Sequence, residues 1–165
     1  MLIRHLASRF SSSLKFSSSS ETGSYILKTG DILTKMRIFS DWDVIEYSKV
    51  SHDANPLHFD AEFARNAGFD DRLVHGMLVA SLFPQIIASY FPGAVYASQS
   101  LHFRLPVYIG DQITGEVQAI NIREHKKRYL VKFSTRCYKR GTLVLEGEAM
   151  ASLATLVPDQ VQNTD

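Results

Sequence analysis

The chain has 165 residues, 45% of them hydrophobic and 21% charged, a composition typical of one globular domain with a short tail. Its 18 basic and 17 acidic residues give a formal net charge of +1, which argues against nucleic acid or a membrane surface as the main partner. The single cysteine, Cys137, excludes an internal disulfide and a cysteine-based zinc cluster, and its alternating apolar and polar surroundings predict a small buried thiol.

The first 24 residues differ in composition from the rest of the chain. They contain Arg4, Arg9 and Lys15, are rich in serine, and have no acidic residue before Glu21. A basic, serine-rich, acid-poor segment with apolar residues at helical spacing is typical of an organelle transit peptide. Residues 1–24 are therefore predicted to be a mitochondrial transit peptide that directs the protein to the matrix. A plastid transit peptide and a disordered serine-rich tail are the alternatives.

A strand and two short helices are predicted next. Residues 27–39 contain a Thr-Gly-Asp turn followed by a strand-like run that ends at Phe39, and Ser40, with an acid three residues later, resembles a helix N-cap. Pro56 ends that helix, because proline disfavours the helical conformation in the residue before it. Asp60 is then expected to cap a second short helix, which Gly68 closes.

The segment 72–91, RLVHGMLVASLFPQIIASYF, is apolar on almost every side. A helix without a polar face must be buried on most sides. Pro84 removes one backbone donor, so a kink or a break is expected there. Because the segment contains His75 and Gln85 and falls short of the roughly 20 apolar residues that a bilayer span requires, it is predicted to be a core helix of a soluble protein.

The apolar pattern changes to a period of two in the second half of the chain. The four strands predicted there lie at residues 95–108, 111–124, 128–139 and 142–156. The short links between them imply antiparallel neighbours. The predicted fold class is α+β, with one long antiparallel sheet wrapped around one buried central helix. This domain is predicted to span residues 25–156 and to be followed by a polar tail at 157–165.

Residues 51–60, SHDANPLHFD, crowd two histidines and two acids around an asparagine and a proline. A first interpretation is a turn that Asn55 stabilises by bonding backbone groups. A second is an acid/base centre in which Asp53 and His58, held apart by a rigid turn, converge on one proton. A third is a metal site, since histidine and carboxylate bind zinc and iron. Its ligands would be His52, His58 and Asp60.

The stretch VHGML, residues 74–78, is a second candidate. Gly76 lies near the start of the buried helix, where free backbone N–H groups and the helix dipole can hold a developing oxyanion. Alternatively, Gly76 only permits close packing of the helix against the sheet. His75 is interpreted as a packed or supporting residue, not as a catalyst.

Three stretches together resemble a known family. The Asp-x-Asn-Pro-Leu-His core and the downstream His-Gly are specific, and the resemblance covers residues 28–155. The family is the MaoC-like, R-specific enoyl hydratase and 3-hydroxyacyl dehydratase family of hotdog-fold proteins, whose fold agrees with the plan above. The stretches are YSKVSHDANPLHFDAEFARNAGF (47–69), VHGMLVASLF (74–83) and YASQSLHFRLPVYIGD (96–111).

The resemblance implies a role for each matching residue. Asp53 and His58 correspond to the catalytic dyad, Gly76 to the glycine whose N–H binds the thioester carbonyl, and Asn55 to the loop-stabilising asparagine. The chain departs from the family at position 52, which is usually glycine and is His52 here. If that position needs a positive φ, histidine adopts it at a cost. Pro84, in place of an ordinary helix former, is a second departure that could reshape the acyl tunnel.

The resemblance implies reversible syn addition or removal of water across C2 and C3 of an acyl thioester, with no metal or redox cofactor. With the predicted leader, it favours a mitochondrial (3R)-hydroxyacyl-acyl carrier protein dehydratase, working as a homodimer. An R-specific enoyl-CoA hydratase of β-oxidation, a non-catalytic acyl-thioester-binding hotdog protein and a thioesterase are the alternatives. The acidic carrier would meet a basic patch. The candidate patches are Lys126, Lys127 and Arg128, or Arg72 and Arg104.

Overall fold

The structure is a computed structural model that describes residues 25–159. The predicted transit peptide, residues 1–24, and most of the predicted polar tail lie outside the described residues. Within them, no helix is long and apolar enough to cross a bilayer. The strands are β1 (Ile32–Ile38), β2 (Val95–Gln99), β3 (His102–Phe103), β4 (Gln112–His125), β5 (Arg128–Lys139) and β6 (Thr142–Leu153), and the helices are α1 (Asp41–Ser51), α2 (Ala61–Asn66), α3 (Gly76–Ala80) and α4 (Leu82–Tyr90), with one 3₁₀ turn at Pro56–His58.

The strands of the described part form one antiparallel sheet in the order β1-β4-β5-β6-β2, with β3 beside β6. Along β5, Val131, Phe133 and Cys137 are fully buried on the inner face, and burial raises the pKa of the cysteine thiol to about 12. Helix α4 packs closely on this face, since a Cβ added to Gly115 of β4 would lie 3.1 Å from Ile86 Cδ1. The predicted α+β class and the buried thiol are both confirmed.

The helix N-termini confirm the predicted caps. The Ser40 hydroxyl accepts the backbone N–H of Asp43, whose carboxylate in turn accepts the backbone N–H of Ser40. Asp60 accepts the N–H groups of the second and third residues of α2. Gly68 follows that helix with a φ of +94°, a conformation that glycine adopts at little cost. Short polar signals therefore set where these helices begin and end.

The buried helix differs from its prediction in the place of its break. It is divided at Ser81 into α3 and α4, whereas a kink or break was expected at Pro84. Pro84 is the third residue of α4, where a missing N–H costs nothing because the first turn has no intrahelical acceptors. The proline ring would clash with the carbonyl of Ala80, the residue four positions earlier, and α3 ends at that residue.

The predicted strand at 95–108 is also interrupted, between β2 and β3. A Cβ added to Gly147 of β6 would lie 1.8 Å from the carbonyl oxygen of Ser100, so the Ser100 backbone fills the space of a side chain there. Regular pairing cannot continue through this contact, and β3 is short. The chain then turns towards the helices, where an isolated bridge joins Leu73 to Tyr108.

Helix α1 ends at His52, which adopts a left-handed conformation with φ 59° and ψ 18°. Its N–H bonds the Ser48 carbonyl oxygen at 2.8 Å and so closes the last turn. The expectation that this position requires a positive φ is confirmed. A residue with a Cβ costs about 1–2 kcal/mol in this region, and glycine avoids that cost.

We therefore expect His52→Gly to raise the free energy of unfolding by about 0.5–1 kcal/mol, because the strain relieved exceeds the entropy that glycine adds to the unfolded chain. Urea denaturation followed by circular dichroism measures the change. The control is Val50→Gly, at an exposed and regular position of α1, which should lower the free energy of unfolding. Equal destabilisation by both variants would contradict the strain at His52.

Candidate active site

Asp53 and His58 lie on either side of a tight turn that their neighbours hold in place. The Asn55 side chain accepts the backbone N–H of Leu57 at 3.1 Å and caps the 3₁₀ turn, which begins at Pro56. The Asn55 N–H in turn bonds Oδ1 of Asp53 at 3.2 Å. The six-residue stretch thus brings an acid and an imidazole to the same side of one turn.

The two side chains face each other without a direct hydrogen bond. His58 Nε2 and Asp53 Oδ2 are 3.9 Å apart, and the imidazole is largely buried while the carboxylate is half-exposed. His58 Nδ1 lies 2.9 Å from the Leu73 carbonyl oxygen and must donate to it, so a neutral ring carries its lone pair on Nε2. Both facing atoms are therefore proton acceptors, at a separation that one water or hydroxyl oxygen about 2.8 Å from each can bridge.

Gly76 is the first residue of α3, so its N–H has no intrahelical acceptor. With only five residues in α3, this free donor matters more than the helix dipole on which the sequence argument also relied. The ring of Phe103 lies against the glycine, and a Cβ added to Gly76 would come within 2.6 Å of Phe103 Cε1. A glycine at this position lets the Phe103 ring and a ligand approach the backbone closely.

Two cavities share Gly76 and Phe103. The larger has a volume of about 360 Å³, contains His58 in its wall, and is otherwise mostly apolar. The smaller, of about 320 Å³, contains Asp53 in its wall. The apolar residues of the larger cavity include Leu57, Phe69, Leu73, Val74, Val79, Leu105, Val107, Val144 and Leu145. An apolar chain fits the larger cavity and a polar group the smaller, with the free N–H at their junction.

His75 is more closely involved with Asp53 and His58 than its sequence position indicated. Its buried ring stacks on the His58 ring, with centroids 3.7 Å apart and planes 25° apart. Its Nε2 lies 3.1 Å from the backbone carbonyl oxygen of Asp53. On the other side, the ring of Tyr47 lies 4.9 Å away. The predicted packing role is correct, but no signal in the sequence indicated a contact with both dyad residues.

Burial lowers the pKa of His75 below its ordinary value of 6.5. The titratable side chains facing it are those of Tyr47, Asp53 and His58. In the unfolded chain the same imidazole takes up a proton near its ordinary pKa, so the unfolded state binds more protons below that pH. His75 therefore lowers the free energy of unfolding as the pH falls below 6.5, and it has no such effect at pH 8.

We expect the free energy of unfolding of the wild-type protein to fall between pH 7 and pH 5 more steeply than that of His75→Phe. The difference in slope is at most about 1.4 kcal/mol per pH unit, the value for one proton. Chemical denaturation at a series of pH values measures both slopes. The control His125→Phe removes an exposed histidine and should keep the wild-type slope. Equal slopes for wild type and His75→Phe would contradict a neutral, buried His75.

The metal interpretation is not favoured by this geometry. Asp60, one of the proposed ligands, caps α2 with its carboxylate. His52, another, is exposed at the C-terminal end of α1. A different set, Asp53, His58 and His75, places ligand-type atoms within 4.8 Å of one another. Two nearly parallel stacked imidazoles, however, direct their lone pairs side by side and not towards one ion.

Known proteins resemble this chain in sequence. The family model described as a MaoC like domain matches residues 29–137. The mitochondrial 3-hydroxyacyl-(acyl-carrier-protein) dehydratase FERN of Solanum lycopersicum is 62% identical over 158 residues, 95% of this chain and 93% of that protein. The mitochondrial 3-hydroxyacyl-(acyl-carrier-protein) dehydratase of Arabidopsis thaliana is 60% identical over 140 residues, 84% of each chain. The two alignments cover 93% and 84% of these relatives.

Solved structures resemble the chain in fold. The (R)-hydratase from A. caviae involved in PHA biosynthesis matches with a TM-score of 0.72 and 37% identity, over 77% of this chain and 97% of that one. This similarity agrees with the sheet and buried helices described above and confirms the predicted hotdog fold. The family match, the curated relatives and the shared fold agree, and the chain belongs to the MaoC-like family.

Proposed function

We propose that this protein is a (3R)-hydroxyacyl-acyl carrier protein dehydratase of mitochondrial fatty acid synthesis, which reversibly removes water from its substrate in the syn sense to give the trans-2-enoyl thioester. The observation that carries the proposal is one site that combines Asp53, His58 Nε2 and the free Gly76 N–H beside an apolar cavity. The two relatives at 62% and 60% identity, both named as such dehydratases, support the choice of substrate. The protein is accordingly a hydro-lyase.

The site can carry out each step of the elimination. The thioester carbonyl oxygen accepts the Gly76 N–H, which stabilises the negative charge that develops when C2 loses its proton. That proton passes to Nε2 of His58, and the nearby Asp53 carboxylate stabilises the imidazolium and accepts a hydrogen bond from the 3-hydroxyl. The C3–O bond then breaks, the imidazolium returns the proton to the departing hydroxide, and the products are water and the enoyl thioester.

The direct test uses the purified protein without residues 1–24. It is offered two substrates, a (3R)-3-hydroxyacyl chain on acyl carrier protein and trans-2-enoyl-CoA. The absorbance of the enoyl thioester is recorded, which rises on dehydration and falls on hydration. We expect turnover of both, faster in kcat/KM for the carrier-bound substrate. A folded protein that turns over neither substrate rejects the proposed function. Release of free thiol from the acyl thioester would instead indicate the alternative function of a thioesterase.

The R-specific enoyl-CoA hydratase is the second candidate, because the A. caviae structure at a TM-score of 0.72 is called an (R)-hydratase. Both candidates run the same reaction in opposite directions, and the ratio of kcat/KM values for carrier and CoA substrates separates them. A non-catalytic binding protein is disfavoured, since binding an acyl chain needs no facing carboxylate and imidazole.

We also propose that residues 1–24 are a transit peptide and that the protein works in the mitochondrial matrix. The basic, acid-poor composition of this segment supports the proposal, as do the two relatives named mitochondrial. A fluorescent protein fused after residue 24 should enter mitochondria and be protected from protease in intact organelles. Import that persists after deletion of residues 1–24 would reject the assignment.

Among the basic residues predicted to meet the carrier, Arg104 has the best position. It lies in the wall of the larger cavity and pairs with Glu146 at 2.6 Å, with half of its side chain exposed. The Arg128 guanidinium instead bonds Ser152 and Gly93 within the fold. Lys126 lies in the turn after β4, at the end of the sheet where β5 pairs with Leu153 of β6. The residue of β6 that pairs with Phe103 lies roughly 25 Å from Leu153 along the strand, so Lys126 is far from Arg104.

We expect Arg104→Gln to raise the KM for the carrier-bound substrate about 5- to 10-fold, with little change in kcat, because a positive charge beside the entrance attracts the acidic carrier. The effect should shrink as salt is added. Steady-state kinetics at two salt concentrations measure it. Lys126→Gln removes an equal charge from the distant turn and should leave KM unchanged. An unchanged KM for Arg104→Gln would remove this residue from the docking surface.

We further propose that the chain forms a homodimer. Large apolar side chains are exposed near the β2 edge of the sheet and the start of α3, namely Val95 at 58%, Met77 at 56% and Phe103 at 55%. An exposed sheet edge with apolar neighbours is a natural surface for a second copy. Light scattering should give twice the mass of the chain. Met77→Asp should shift it towards the monomer, and a monomeric wild type would reject the dimer.

A further inference from the structure

His75 contacts both residues of the proposed dyad. Its ring face lies on the ring of His58, with centroids 3.7 Å apart, and its Nε2 bonds the backbone oxygen of Asp53 at 3.1 Å. It is also the residue directly before Gly76, the start of α3. The buried His75 side chain thus contacts the His58 imidazole and the Asp53 backbone, and His75 directly precedes the Gly76 N–H.

The contacts of His75 define its tautomer. A carbonyl oxygen only accepts, so Nε2 carries the proton that it donates to Asp53. Nδ1 is then an unprotonated acceptor, and it is buried without a hydrogen-bond partner among the described residues. Protonation of Nδ1 would place a charge in a buried site against the His58 ring, which disfavours the charged form of the ring. The lowered pKa of His75 agrees with this.

We propose that His75 is a positioning residue of the dehydratase site: its neutral ring fixes the plane of the His58 imidazole by stacking, and its N–H fixes the backbone that carries Asp53. This role rests on the dyad assigned above. In this role His75 acts through the His58 ring and the Asp53 backbone that it contacts.

The dyad needs such support because its other contacts leave it free to move. Among the described residues, the His58 side chain has one hydrogen bond, to Leu73, and a single bond at Nδ1 permits the ring to tilt about that contact. The Asp53 side chain is half-exposed and bonds the N–H of Asn55 two residues along. A displacement of about 1 Å between reacting groups costs on the order of 100-fold in rate. Stacking removes the tilt, and the N–H···O bond ties the Asp53 loop to α3.

Three substitutions separate the two contacts. His75→Phe keeps a flat ring and loses the N–H, His75→Gln keeps an N–H donor at a similar reach and loses the ring, and His75→Ala loses both. We expect kcat for the 3-hydroxyacyl thioester to fall about 100-fold for alanine and about 10-fold for each of the others, with KM within about threefold of wild type. The matched control His125→Ala, at an exposed position, should retain wild-type kinetics.

The outcomes distinguish this inference from the proposed function. An inactive, folded wild-type protein rejects the proposed function and, with it, the role of His75. An active wild type with a His75→Ala variant whose kcat lies within twofold overturns the positioning role alone. Thermal unfolding of each variant gives its folded fraction. If correction for that fraction restores the wild-type kcat, His75 is only structural and the inference is wrong. Partial rescue by phenylalanine and by glutamine supports it.

Discussion

Replacing His58 by alanine, or Asp53 by asparagine, should lower kcat by about 10³- to 10⁴-fold, the largest effects expected for this protein. Without Nε2 the proposed acceptor of the C2 proton is lost, and without the carboxylate the imidazolium loses its stabilising charge 3.9 Å away. Because the two groups act as a unit, the double variant should be little slower than the slower single variant. Stopped assays of dehydration at high enzyme concentration measure these rates.

Matched controls show whether the loss belongs to these positions. Asp60→Asn also removes a carboxylate from the same stretch, but asparagine is an equally good helix cap, so both stability and activity should persist. The dissociation constant of a non-reactive acyl thioester should change only a few-fold in Asp53→Asn and His58→Ala. Wild-type turnover in both dyad variants would reject the site assignment.

Gly76→Ala should lower kcat/KM by about 100-fold, as the loss of one oxyanion donor does in other enzymes. The added methyl group would narrow the junction of the two cavities, both of which have Gly76 in their walls. It would also meet Phe103 Cε1 at 2.6 Å, but that atom is at the far end of a movable side chain. The free energy of unfolding should therefore fall by only about 1 kcal/mol.

The double variant Gly76→Ala/Phe103→Leu separates the two effects of the methyl group. Leucine at position 103 gives the methyl group room, so the double variant should regain stability but not activity. Phe103→Leu alone should retain most of the activity and serves as the control. Recovery of kcat/KM in the double variant would show that a displaced Phe103 ring, and not a blocked N–H, caused the loss.

Much of the fold could be predicted because local chemistry determines it. The Ser40 and Asp60 caps and the alternating strands depend on neighbours in sequence, and they are confirmed. The two irregularities could not be placed. The interruption after β2 depends on Gly147 of β6 meeting the backbone of Ser100, a contact between distant parts of the chain. The break at Ser81 could be placed only from the structure, in which Pro84 lies in the first turn of a separate helix, α4, and does not bend one continuous helix.

The candidate site divides in the same way. The turn between Asp53 and His58 is local, so the pattern SHDANPLHFD indicated it directly. The tautomer of His58 depends on the Leu73 carbonyl and could be assigned only from the structure. The stacking of His75 likewise requires the turn and α3 to meet in space. His52, unexplained by the chemistry of the stretch, is the residue that ends α1 with a positive φ.

The order of the site along the chain affects how such an enzyme can diverge. The groups proposed for the chemistry lie within residues 53–76, whereas much of the apolar wall comes from residues 103–107 and from Val144 and Leu145 of β6. A substitution in the wall can resize the compartment for the acyl tail without touching the residues that move protons. The half of the wall that comes from the second part of the chain can therefore change substrate length, while Leu57, Phe69, Leu73 and Val74 tie the other half to the segment that carries the proposed chemistry.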